Sequence, residues 1–249
     1  MEVHAHTQTP RKKWTHYFWE FLMLFLAVFC GFLAENQREH FIEKQRAKEF
    51  AKSLVEDLKA DTLNLNYTIH LYDSLSRNID TFRQLLRTKN INEIPGGKIY
   101  YYGDAALSGY RMPFNTTTIE QLKSSGSLRY FPVTLRDLIA KYDLQTQAFN
   151  LRQNNEPLYS IETNKYANKL FDADVMEQLY NIQSPYSLRQ FMSVDFELLN
   201  NDPKLLKEYA NNCFGRQVNW RSRITGSLIP LKQQAAELMI ALKEKYNLH

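Results

Sequence analysis

The sequence predicts an all-α protein: one N-terminal transmembrane helix continuing into a long stalk helix, followed by a soluble helical bundle with a small loop or hairpin insertion. Three observations predict it. Residues 14–36, from Trp14 to Asn36, form an apolar run long enough to cross a bilayer, for which about 20 helical residues suffice. From Arg38 to Lys89 there is neither proline nor glycine. Beyond that, apolar residues recur at helical spacing between Pro, Gly and N-cap signals. The resulting division is 1–13 cytoplasmic basic tail, 14–36 transmembrane helix, 37–53 stalk and 54–249 extracytoplasmic helical bundle.

The anchor comes first. Its apolar run passes directly into Glu35, Asn36, Gln37, Arg38 and Glu39. This is a polar helix-forming stretch rather than a small-x-small cleavage site, so an uncleaved signal anchor is expected. Arg11, Lys12 and Lys13 precede it and favour a cytoplasmic N-terminus, although Arg38, Lys44, Arg46, Lys48 and Lys52 crowd the other flank. At 100° per residue, Glu20, Leu24, Ala27, Gly31 and Ala34 share one stripe, opposite Phe18, Phe21, Phe25, Phe29 and Phe32. The aromatic face suits lipid. The small face lets a second helix approach closely, which predicts self-association through the membrane helix. Glu20 admits two readings. An intramembrane carboxylate is by default functional, as in an ion-driven complex. Alternatively, Glu20 lies near the interface and reaches headgroups or His16, beside the belt of Trp14, Tyr17 and Trp19.

The helix that follows carries an apolar stripe at sevens, Leu58, Leu65, Tyr72, Ile79 and Leu86, with Ile69, Leu75 and Phe82 between. Thr62 and Ser76 interrupt it, so a bundle-core face is favoured over a coiled coil. Glu39, Glu43, Lys44, Arg46, Lys48 and Glu49 mark the membrane-proximal part as a solvated stalk with i,i+4 pairs. Ile94-Pro95-Gly96-Gly97 ends the helical region. Lys98 to Asn115 then has a strand-like look, as a hairpin or an ordered loop. Tyr100, Tyr101, Tyr102 and Tyr110 there could form a partner surface, but core capping is the favoured reading.

Thr117 and Glu120 form a capping box for a short helix ending at Ser124-Ser125-Gly126. Thr134 and Asp137 after Pro132 resemble a weaker one. Pro157 interrupts or restarts the next helix. Ser184-Pro185 and Asp202-Pro203 are sharp helix starts, each an N-cap residue before proline at the first helical position. The last helix has the stripe Ile224, Leu228, Leu231, Ala235, Leu238, Leu242 and Tyr246, with a kink expected near Gly226 from Pro230.

Tests for chemistry return little. With 44% hydrophobic and 23% charged residues the chain is globular by composition, and its formal charge of +4 is spread out, which argues against nucleic acid as a partner. Cys30 and Cys213 cannot plausibly pair. His4, His6, His16, His40, His70 and His249 lack metal-ligand spacing. No phosphate-cradling glycine pattern or nucleophile elbow occurs. Glu56 with Asp57 and Asp172 with Asp174 read as surface charge. No cofactor, metal or catalytic residue is expected, and the chain is not expected to be an enzyme.

Glu20, Gly31, Ala34, Asn36 and Glu39 at the anchor, then Leu54, Asp57 and Leu58, then Thr118, Leu122, Lys123, Ser124, Ser125, Gly126 and Leu128, with Leu138 and Tyr142 behind them, form a pattern. In this the first 145 or so residues resemble an uncharacterised family of short single-pass membrane proteins of Bacteroidota. Gln37 and Arg38 stand where that group usually has a tryptophan. The resemblance implies location and shape, and no reaction. The expected protein sits in a bacterial inner membrane with its C-terminal domain in the periplasm. Its expected partners are the lipid bilayer, a second copy of itself and an envelope protein.

Overall fold

The computed structural model describes residues 14–248, except for the side chain of Tyr159. The expected tail, 1–13, with Arg11, Lys12, Lys13, His4 and His6, lies outside the described residues, as does His249. The protein is 83% helical and, among the described residues, has no strand. It divides into two units, residues 1–49 and 50–249. The second begins at Phe50, inside the stretch assigned to the stalk.

In the first unit the described residues belong to helix α1, Trp14–Thr88. Its most apolar 18-residue window has a mean hydropathy of 2.0, and none of that window is buried. One helix among the described residues is therefore long and apolar enough to span a membrane. On the following polar stretch Arg38 pairs with Glu35 and His40 lies 3.6 Å from Glu43, both at a spacing of three rather than the expected four.

The second unit is built on three long helical tracks. The part of α1 from Phe50 onward buries Ala51, Leu54, Leu58, Leu65, Tyr72, Ile79 and Phe82, so the stripe at sevens is a bundle-core face, as expected. Asp61, Thr68 and Ser76 are buried on the same face. The second track is α4, Val133–Asn154, which breaks at Asn155 into α5, Glu156–Leu170, with Pro157 in its first turn. The third is α8, Pro203–Arg223, joined through a π turn at Ile224–Leu228 to α9, Ile229–Tyr246. Phe82 meets Tyr209, Ser76 accepts from Gln217 and Tyr72 stacks on Trp220, so α1 and α8 run antiparallel. Helix α4 packs on α9, and α5 on α8.

Short helices fill the connections: α2, Gly96–Asp104; α3, Thr117–Ser124; α6, Ala173–Tyr180; and α7, Pro185–Phe191. Several start as expected. Ser184 and Asp202 cap α7 and α8 through their side chains, and α3 ends before Gly126, whose φ of +68° suits glycine. The box expected from Thr117 and Glu120 does not form: Thr116 is the N-cap of α3 without a side-chain cap bond, and its Oγ1 donates to Glu120 Oε1 instead. The weaker box does not form, because Pro132 occupies the N-cap of α4 and makes no side-chain cap bond.

The hairpin expectation is corrected. Residues 96–104 are helical, and only 105–116 is irregular, with no strand. The β-prone run Ile99-Tyr100-Tyr101-Tyr102 is overridden by tertiary contacts. Gly96 donates to Asp195 and Gly97 to the Val194 carbonyl. A Cβ on Gly97 would lie 2.0 Å from the Phe191 oxygen, so two glycines let α2 press directly onto the 191–196 backbone.

Candidate functional site

On the membrane-type part of α1, Glu20 lies 3.1 Å from His16 Nε2, one turn earlier, with both side chains about half exposed. Leu24, Ala27, Gly31 and Ala34 are all exposed, and a Cβ on Gly31 would meet nothing within 4 Å. Across the helix, Phe21, Phe25 and Phe29 stack in a column with centroids 6.3 and 5.9 Å apart. The sequence-derived division into an aromatic face and a small face therefore matches the side-chain geometry.

The tyrosines do not form one surface. Tyr100 is fully buried against Phe171 and Phe196, donates to the Glu197 carbonyl and accepts from the Asp172 N–H. It is a core residue and offers nothing to a partner. Tyr101 and Tyr102 are half-buried and pack edge-on at 4.9 Å, whereas Tyr110 is half-buried against Tyr67. Asp172, read as surface charge, is the N-cap of α6.

The sequence reading missed the main polar feature of the interior. On α8 the buried face runs Leu206, Tyr209, Cys213, Arg216, Gln217, Trp220 and Arg223. The signal was an apolar stripe whose periodicity continues through two arginines. Arg216 and Arg223 are 3% and 5% exposed. Both reach the same carboxylate: Arg216 Nη1 lies 2.8 Å from Glu156 Oε1, and Arg223 Nη2 lies against Oε2. Glu156 occupies the first turn of α5, where the break after α4 turns it toward α8.

The two guanidiniums are held differently. Arg216 also donates to the Ala106 and Ser108 carbonyls, and its plane lies over Trp220 at 5.1 Å. Arg223 makes a longer bond of 3.4 Å to the Arg152 carbonyl and faces the Tyr72 hydroxyl; the Nη1 atoms of both arginines and Glu156 Oε2 are buried without a partner in full hydrogen-bond geometry. Burial lowers the Arg216 pKa, which Glu156 counteracts. Burial raises that of Tyr72, which the arginine charges oppose. Buried ions cost several kcal/mol each unless paired, and here two cations share one carboxylate.

Beside this cluster, where α4, α5 and α8 meet, lies a cleft of about 470 Å³ bordered by Arg152, Asn155, Gly215, Asn219, Ser222 and Arg223. Arg152 is steadied by a 2.8 Å bond to Ser227 in the π turn. A groove of about 540 Å³ at the far end of α1 has Arg83, Arg87, Lys89 and Lys207 around Leu86 and Leu206. Its cations are largely solvent-facing side chains, as is Arg152 at the cleft, whereas the cleft's second cation, Arg223, is buried. Among the described residues no group of three or more His, Cys, Asp or Glu side chains is placed to hold a metal.

No protein-family model, curated protein or solved structure matches this chain.

Proposed function

We propose that the protein is a membrane-anchored, non-enzymatic binding protein of the bacterial cell envelope, a scaffold or sensor. In this reading its N-terminus is cytoplasmic, its bundle is periplasmic and its membrane helix self-associates. The observation that carries the reading is the wholly exposed apolar window of α1. A column of Phe and Trp side chains facing water would forfeit about 25 cal/mol per Å² of burial, and lipid removes that cost. The resemblance to single-pass Bacteroidota proteins supports the same placement in an inner membrane, and the half-buried Tyr101–Tyr102 pair is the favoured contact for an envelope partner.

A reporter active only outside the cytoplasm, fused after His249, tests this placement. Activity is expected, and an inactive but stable fusion would move the bundle to the cytoplasm and sink the envelope reading. The alternative is an accessory subunit of an ion-driven membrane complex, supported by the carboxylate of Glu20 within the apolar part of α1. Its pairing with His16 favours the interfacial role instead. Glu20→Gln is expected to leave assembly and envelope phenotype unchanged; lost activity with normal assembly would favour ion coupling.

A further inference from the structure

We propose that the cleft where α4, α5 and α8 meet binds a phosphoryl-type oxyanion, with Arg152 and Arg223 as its cationic walls and Asn155, Asn219 and Ser222 as neutral donors. The inference deepens the binding-protein reading by giving it a ligand chemistry, and it rests on that reading.

Charge carries the first step. Arg152, Arg216 and Arg223 converge on this corner, and Glu156 is the carboxylate paired with the two buried ones. No acidic side chain borders the cleft. The two buried cations against one carboxylate leave one positive charge uncompensated, and Arg152 on the exposed rim adds a second, so the corner favours an anion. Lysines on a surface would be hydrated and would need no counter-charge, but Arg223 is 5% exposed and is held away from bulk water.

Geometry carries the second step. Arg223 borders the cleft with its guanidinium fixed among Glu156, the Arg152 carbonyl and the Tyr72 hydroxyl, so a rigid buried cation forms one wall. The planar guanidinium fork matches phosphoryl oxygens in a way an ammonium does not. Arg152 donates Nη1 to Ser227, which orients the group where it borders the cleft. The π turn begins directly after Arg223, and such turns recur at functional sites.

The lining then sets the ligand class. It is donor-rich and mostly polar, with Val218 its apolar member, so it suits a compact headgroup and not an acyl chain. The volume of about 470 Å³ lies at the lower end of the range for small-molecule pockets, roughly 300–1,000 Å³, and suits phosphate or a small phosphate ester.

The test is thermal unfolding of the full chain in neutral nanodiscs with inorganic phosphate against sodium chloride at equal ionic strength. Phosphate is expected to raise Tm saturably, by about 5 °C at a hundredfold excess over Kd. Arg152→Gln, on the exposed rim, is expected to keep the fold and weaken phosphate at least tenfold. Asn219→Ala should weaken it less, and Lys207→Gln in the distant groove should leave it unchanged. A phosphate effect no larger than that of chloride, an unchanged response in Arg152→Gln, or an equal loss in Lys207→Gln would each overturn the assignment. Glycerol phosphate and nanodiscs doped with phosphatidic acid then distinguish a soluble ester from a lipid headgroup, and stabilisation by either supports the phosphoryl site. The topology result is independent: a cytoplasmic bundle that binds phosphate defeats only the periplasmic placement, and a periplasmic bundle indifferent to phosphate defeats only the site.

Discussion

The Tyr142 hydroxyl donates to Asp61 Oδ2 at 2.7 Å across the interior of the bundle, placing a carboxylate at a core position of α1 under the control of α4. Asp61 Oδ1 accepts from both the backbone N–H and the side-chain amide of Asn115, each at 2.9 Å. One side chain thus ties two long helices to the irregular 105–116 segment. Asp61→Ala would strand a buried hydroxyl and is expected to cost about 3 kcal/mol, read from urea unfolding of the full chain.

The same carboxylate gives the fold a pH dependence of definite sign. Burial pushes the Asp61 pKa above 3.8, against the pull of its three hydrogen-bond donors. Asp104 is raised in the same way, against the Tyr180 hydroxyl. Between the unfolded value of 3.8 and the raised folded value, the folded state holds more protons than the unfolded one. The stability these groups add is therefore full below the unfolded value and is lost as pH rises through the folded one. Asp61→Asn is expected to flatten this slope in a pH series of unfolding midpoints, and a slope unchanged in that variant would contradict the assignment.

Two glycines should respond oppositely to alanine. At Gly97 a Cβ would lie 2.0 Å from a backbone oxygen, whereas at Gly215 on α8 nothing stands within 4 Å. Gly97→Ala is expected to cost about 3 kcal/mol through overpacking against backbone. Gly215→Ala is expected to gain up to about 1 kcal/mol from helix propensity and the restricted unfolded chain. Denaturation midpoints of the two variants check both signs.

Trp220 is fully buried, stacked on Tyr72 at 5.7 Å and lying under Arg216. Trp220→Ala is expected to cost about 4 kcal/mol, whereas Leu144→Ala, on an exposed side chain, should fall within about 0.5 kcal/mol of the parent.

Cys213 is buried and its thiol is pushed up to about 12, chiefly by desolvation. Thiolate chemistry is accordingly suppressed in the folded state. In a Cys30→Ser background, maleimide labelling of Cys213 is expected to track bundle opening and to be negligible under native conditions; fast native labelling would show that this region opens.

What could be read from the sequence divides along the range of the interactions involved. Leu58, Leu65, Tyr72 and Ile79 announced a core face because helical periodicity is local, and Ser184-Pro185 and Asp202-Pro203 announced helix starts because a cap is built within four residues. The fate of Tyr100 was hidden, since its helix depends on Gly96 and Gly97 meeting residues 191–196 far along the chain. Arg216 and Arg223 were hidden for a related reason. A charged residue on an apolar stripe reads as an interruption until the distant Glu156 is seen to face it, and the cleft beside them needs three separate helices to exist.

The π turn has a consequence for the spacing of the chain. Pro230 has no N–H to give Gly226, and the Ile229 N–H instead reaches back five residues to the Ile224 carbonyl. The turn therefore contains one residue more than an α-helix would use, and that surplus sets the phase of everything after it. Removing a single residue from 224–228 would rotate α9 by about 100° and carry Leu231, Ala235, Leu238 and Leu242 out of the core they fill. Residues 224–228 thus act as an indexing step, and a one-residue deletion there would do more damage than most substitutions on the helix it serves.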